Sequence, residues 1–61
     1  MQTQTKNGTK VQIQRFDRPE RDTVYQAFIG QRMMGSDEVR RDLVSWVQRQ
    51  TRDSYGNHIA A

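Results

Sequence analysis

A short stretch near the start of the chain alternates apolar and polar side chains. Val11 and Ile13 stand between polar neighbours, and a period of two is typical of a strand with one buried face. The pattern predicts a strand from Thr9 to Phe16, although Arg15 occupies a position where a third inward apolar residue is expected. The rest of the chain shows no second strand pattern. Since an unpaired strand leaves its backbone groups unsatisfied, a homodimer with two paired strands is predicted.

Two segments with helical spacing follow this strand. The first is expected from about Pro19 to Met34, with Val24 and Phe28 on its buried face and Gly30 weakening it by about 1 kcal/mol. The second is expected from about Asp37 to Arg52, because its apolar residues recur on one helical face. That apolar stripe consists of Val39, Leu43, Val44 and Val47.

The boundary between the two predicted helices carries specific signals. Gly35 can end the first helix in a left-handed conformation, and the Ser36 hydroxyl can cap the second. Asp37 and Glu38 follow at the positive end of the second helix dipole, where carboxylates are favoured. The sequence therefore predicts a tight turn between two helices.

The predicted fold class is mostly α: a short N-terminal strand and two helices in an intertwined homodimer. One strand-helix-helix domain is expected at residues 9–52, between a flexible arm at 1–8 and a flexible tail at 53–61. The predicted core and dimer contacts are Val11, Ile13, Val24, Phe28, Val39, Leu43, Val44 and Val47. A chain of 61 residues with 33% hydrophobic residues and no cysteine buries a thin core and has no disulfide to support it, which also favours a dimer.

Charge narrows the choice of partner. The net charge is +3 and the pI is about 10.0, which favours anionic ligands such as nucleic acid. The excess of basic residues lies in the first third of the chain. No apolar run reaches the roughly 20 residues that span a bilayer, and no signal peptide is apparent, so a cytoplasmic location is expected.

No enzymatic activity, metal or cofactor is expected. One histidine, His58, cannot form a histidine metal cluster within one chain. Asp53 and Ser54 lie near His58 in sequence, and together the three have the residue types of a Ser-His-Asp catalytic set. A flexible tail cannot hold the geometry that catalysis requires.

The order of basic arm, strand, helix, Gly-Ser turn and second helix resembles the ribbon-helix-helix family of DNA-binding repressors and antitoxins, over about Lys10 to Gln50. Residues 35–44 are similar to the second-helix signature of that family, and residues 10–14 to its ribbon. The resemblance implies a small dimeric protein that binds double-stranded DNA sequence-specifically, as a transcriptional repressor or antitoxin. Its paired ribbon would enter the major groove.

The resemblance also assigns contacts to individual residues. It implies base contacts from Lys10, Gln12 and Gln14, and phosphate contacts from Lys6, Ser36 and Asp37. The polar strand residues are equally compatible with a plain solvated face. The alternative function is a protein-binding module, such as an inhibitor, adaptor or small subunit, that docks its second helix into a partner's groove. Its anchors would be Val39, Leu43, Val44, Trp46 and Val47.

Overall fold

The computed structural model describes residues 1–59, which form a four-stranded antiparallel sheet and one helix. The strands lie side by side in chain order. The elements are β1 (Gln2–Gln4), β2 (Lys10–Phe16), β3 (Val24–Ile29), β4 (Arg32–Asp37) and α1 (Arg40–Arg49). The predicted fold class, mostly α with two helices, is therefore wrong.

The predicted N-terminal arm contains an edge strand. β1 pairs with β2 through Thr3 and Val11, and the Lys6 amide donates a hydrogen bond of 2.8 Å to the Gln50 carbonyl. β2 corresponds closely to the predicted strand, but it has β1 and β3 as partners within its own chain. The unpaired-strand argument for a second subunit therefore falls, and the homodimer stays a prediction that rests on the thin core.

The segment expected to form the first helix is a β-hairpin. β3 and β4 are joined at Gly30 and Gln31. Gly30 has φ +59°, and glycine at the first central position is typical of a type II′ turn, which suits the twist of paired strands. β3 is rich in β-branched and aromatic side chains, which pack well in strands. Its pairing with β2 and β4 supplies the backbone hydrogen bonds that a helix would have made locally.

The second predicted helix exists but begins later and ends earlier. Its N-cap residue is Val39 in an extended conformation, without a side-chain cap, whereas Ser36 and Asp37 belong to β4. The Asp37 carboxylate accepts a hydrogen bond of 2.9 Å from the Val39 amide. Asp37 therefore stabilises the turn that precedes α1, although Asp37 itself belongs to β4.

The core lies between α1 and one face of the sheet. Its buried residues are Val11, Ile13, Ala27, Ile29, Leu43 and Val47. Tyr25, Met34, Val44 and Trp46 pack against them. Four of the predicted core residues thus occupy the core, and Val44 borders it.

Three predicted core residues lie elsewhere. Val24 and Phe28 are half-buried on the sheet face that α1 does not cover, and Val39 is 46% exposed. The helical assignment placed Val24 and Phe28 on one side with the core. In a strand, these two residues point away from Ala27 and therefore away from the core.

The C-terminal segment closes one end of the core. Asn7 bonds both backbone groups of Arg52, donating to its carbonyl at 2.7 Å and accepting from its amide at 3.0 Å. Arg32 donates to the Asn57 side chain at 2.9 Å. The tail predicted as flexible over 53–61 is therefore hydrogen-bonded to the sheet as far as it is described; positions 60 and 61 lie outside the described residues.

Candidate nucleic-acid interface

The sheet presents one face to solvent because α1 covers the other. Residues paired across neighbouring strands share a face, and side chains alternate between faces along each strand. The register therefore assigns the uncovered side, called the open face below. Its residues are Gln2, Gln4, Lys10, Gln12, Gln14, Phe16, Val24, Gln26, Phe28, Met33 and Ser36.

Glutamine dominates the open face. Five of the eight glutamines of the chain lie on it, and within residues 1–59 none of their side-chain amides is hydrogen-bonded to the protein. They adjoin one another across strands, since Gln2 is paired with Gln12 and Gln14 with Gln26. Each amide has donors and an acceptor to offer. The open face thus presents a set of unpartnered hydrogen-bonding groups to a ligand.

An aromatic side chain lies near the middle of this face. Gln2, Gln12, Phe28 and Met33 form one row across the sheet, with one residue from each strand. Phe28 is half-buried and Met33 is 52% exposed. Phe16, at the end of β2, is 50% exposed on the same face. The open face therefore combines amides with apolar side chains.

The open face carries no carboxylate. Its charged residue is Lys10, and Lys6 lies in the turn that leads into β2. All seven acidic residues lie elsewhere: in the β2–β3 loop, on the helix side of β4, around the start of α1 or in the C-terminal segment. An anionic ligand on the open face therefore meets positive charge and no carboxylate on that face.

One arginine near this region is already engaged. Arg15 lies on the helix side of β2, and its Nε is 3.0 Å from the Asp17 carboxylate. The Thr23 hydroxyl and then Arg15 donate hydrogen bonds that lower the pKa of Asp17 below its usual value. Asp17 therefore remains ionised at neutral pH and offsets the charge of Arg15.

In the structure, the residues predicted to contact bases lie together on one face, whereas those predicted to contact phosphates lie apart. Lys10, Gln12 and Gln14 lie in sequence along β2 on the open face. Ser36 also lies on this face, but on the edge strand β4, whereas Asp37 lies on the helix side. Ser36 and Asp37 were predicted to bind a phosphate at the start of a helix. This site does not form, because the helix begins at Arg40.

The helix side offers little of the surface that the protein-docking alternative requires. Leu43 and Val47 are buried against the protein's own sheet, and Trp46 packs on Gly35. Val44 is partly buried, which leaves Val39 as the exposed member of the predicted anchors. The apolar stripe predicted to dock into a partner thus serves the internal core.

The residues that imitated a catalytic set have other partners or are exposed. The Asp53 carboxylate accepts hydrogen bonds of 2.9 Å from the amides of Tyr55 and Asn57. These amides, Asn57 first, lower the pKa of Asp53 below its usual value. Ser54 and His58 are exposed, and His58 forms an isolated β-bridge with Arg52. Asp53 is thus the centre of a hydrogen-bonded turn.

Several open-face residues were not predicted as contacts. Gln2 and Gln4 fell in the predicted arm, and Gln26 and Phe28 in the predicted first helix. The Gly30-Gln31 pair between two apolar segments was the available signal, since a two-residue Gly-X connection is typical of a hairpin. A hairpin assignment would have placed Gln26 and Phe28 on one face of a strand.

Within residues 1–59, no helix is both long enough and apolar enough to cross a membrane. The same residues contain no group of three side chains that could hold a metal ion. No protein-family model, curated protein or solved structure matches the chain.

Proposed function

We propose that this protein binds nucleic acid through the open face of its sheet. The observation that carries the proposal is the set of five unpartnered glutamine amides beside Lys10, on a solvent-facing sheet surface without a carboxylate. Glutamine amides contact the bases, and Lys6 and Lys10 contact phosphates. Sequence-specific DNA binding in the cytoplasm, as predicted from sequence, is retained as a proposal with this face as its site. The repressor or antitoxin role is not, because it was implied by a ribbon-helix-helix fold that the four-stranded sheet replaces.

The chemistry of the open face suits base recognition. A glutamine amide can donate to and accept from adenine at the same time, and a lysine can donate to the guanine acceptors. Lysine–phosphate contacts add affinity that depends on salt and not on sequence. Neutral amides outnumber cations on this face. We therefore expect base-specific hydrogen bonds to contribute more to the binding free energy than non-specific attraction to phosphates.

The direct test is nucleic-acid binding by purified protein. Ligands are selected from random pools of double-stranded and single-stranded oligonucleotides, and affinities are measured by fluorescence anisotropy at one fixed salt concentration. The double substitution Gln12→Ala, Gln14→Ala should weaken binding to the selected ligand by about 1–3 kcal/mol for each good base interaction that it removes. Binding to unselected sequences should change little.

A matched control separates the open face from glutamine content in general. Gln31 is exposed in the β3–β4 turn, so Gln31→Ala removes the same group away from the proposed contacts and should bind as wild type. If Gln31→Ala weakens binding as much, or if no oligonucleotide binds near physiological salt, the proposal is wrong. Light-scattering mass of the free protein and of the complex tests the homodimer in the same samples.

A further inference from the structure

We infer that the ligand of the open face is single-stranded nucleic acid, with one base stacked on Phe28. This inference rests on the proposed function and adds the ligand class and the contact that selects it. Three features carry it: the width of the sheet, the position of Phe28 and the arrangement of amides around that ring.

The sheet is too wide for its central strands to reach the bases of a duplex. Three spaces between four strands, at about 4.8 Å each, separate the outer backbones by about 14 Å. The major groove is about 12 Å wide and admits a two-stranded ribbon. Phe28 and Gln26 lie on β3, between β2 and β4. In a duplex, the outer strands would meet the phosphate backbones before these side chains met a base.

Phe28 is placed where a stacking platform is useful. Its ring has neighbours on both sides, because Gln12 and Met33 are its partners on β2 and β4. The side chain is half-buried beside these residues, and no helix within residues 1–59 packs on that face of the sheet. A phenylalanine here adds no packing to the core, which lies on the opposite face. Base stacking on an aromatic ring is the use that fits such a position.

The amides around the ring fit the edges of an unpaired base. Gln12 is directly opposite Phe28, and Gln26 lies two residues before it on the same strand. A base stacked on Phe28 would present its Watson–Crick edge to one of these side chains, and that edge is free only in a single strand. Phe16 lies about four strand residues away, roughly 13 Å, which is too far for one base to contact both rings.

The charge of this surface predicts a weak dependence on salt. Lys10 lies on the open face and Lys6 is exposed in the turn before β2, and we expect these two cations to contact phosphates. For single strands the slope of log K against log salt is about −0.7 for each phosphate neutralised. Two contacts therefore predict a slope of about −1.4, so stacking and hydrogen bonding must supply most of the affinity.

The experiment compares a fluorescent single strand with its own duplex, by anisotropy at fixed salt, for wild type and two variants. Phe28→Leu keeps an apolar side chain but removes the aromatic ring. Tyr55→Leu makes the same kind of change at an exposed aromatic residue of the C-terminal segment, away from the open face, and is the control. Homopolymers of deoxythymidine and of uridine, measured in parallel, distinguish DNA from RNA as the source of the strand.

We expect the single strand to bind more tightly than the duplex. Phe28→Leu should weaken that binding about five- to one-hundred-fold, and Tyr55→Leu should leave it unchanged. In NMR titrations of wild type with oligo-deoxythymidine, the Phe28 ring signals should shift. The Trp46 indole signals, on the helix side, should not. The NMR result decides the matter if Phe28→Leu does not fold.

Two contrary results have different meanings. If the duplex binds as tightly as the single strand, or if Phe28→Leu binds as wild type, the inference is wrong and the proposed function stands. If neither single strands nor duplexes bind near physiological salt, the inference and the proposed function fail together.

Discussion

Trp46 packs its indole ring directly on the backbone of Gly35, where α1 crosses β4. A Cβ atom at position 35 would lie 2.8 Å from indole Cζ3 and 2.9 Å from Cη2. These distances are shorter than carbon–carbon van der Waals contact, so an added methyl group displaces the indole or the strand. Glycine at this position lets the helix approach the edge strand closely.

Gly35→Ala should therefore destabilise the protein by about 1–3 kcal/mol, which is typical of overpacking in a well-packed site. Urea unfolding followed by the emission of Trp46, the single tryptophan of the chain, measures the destabilisation and the displacement together. Ser36→Ala is the matched control, because Ser36 is the exposed neighbour on the opposite face. Equal stability of the two variants would show that the contact is not tight.

Leu43→Ala should cost about 2–5 kcal/mol, the usual range for truncating a buried leucine. Leu43 is 2% exposed and lies in the middle of the core. In a domain of this size each kilocalorie lowers Tm by about 4–8 °C, so thermal unfolding by circular dichroism is a sufficient measurement. Val39→Ala, at an exposed apolar position just before the helix, should melt within a few degrees of wild type. A Leu43→Ala variant with wild-type Tm would contradict this structure.

Asn7→Ala should loosen the attachment of Arg52 to the β1–β2 turn, while the Arg32–Asn57 bond still holds the C-terminal segment to β4. The Asn7 side chain replaces a strand partner for Arg52 by bonding its amide and its carbonyl, and two exposed hydrogen bonds contribute about 1–2 kcal/mol together. Hydrogen exchange of the Arg52 amide should accelerate while the amides of β3 stay protected. Lys6→Ala changes the adjacent exposed side chain and should leave Arg52 protected. Unchanged exchange in Asn7→Ala would contradict this role.

Acid should weaken the turn at Asp53. Its carboxylate has a pKa below the usual 3.8 in the folded protein, so its contribution to stability is present above that value and disappears as pH falls through the folded pKa. NMR of the Tyr55 and Asn57 amides between neutral pH and pH about 2 should report this change. Asp53→Asn retains an acceptor oxygen without the titration, so its amides should respond less to acid. An identical response would assign the effect to another group.

The pattern of apolar and polar residues was sufficient to predict an element where that element's own residues specify which of its faces is buried. The alternation of Val11 and Ile13 predicted β2 and two core residues. The spacing of Leu43 and Val47 predicted a helix and its buried side, although not its ends. In both cases the period of the apolar residues identifies the side chains that become buried, and the burial of those side chains stabilises the folded structure.

The sequence from Val24 to Ile29 was ambiguous, because a nearly continuous apolar run fits a buried strand as well as a helix. Pairing with β2 and β4 decided for a strand, and these hydrogen bonds join residues far apart in sequence. The same decision moved Phe28 from the expected core to the open face. β1 had no apolar residue to indicate it, and its pairing with β2 exists only in the folded chain.

The sequence by itself determined the basic charge, the polar outward residues of β2 and the amphipathic second helix. Only the tertiary structure assembled Gln2, Gln12 and Gln26 from three strands into one surface and put the carboxylates elsewhere. The physical reason is that the buried side of a helix can be predicted from the spacing of apolar residues within the helix itself. A sheet face is defined by register between strands, and register is fixed by the turns and by the core that forms on the other side.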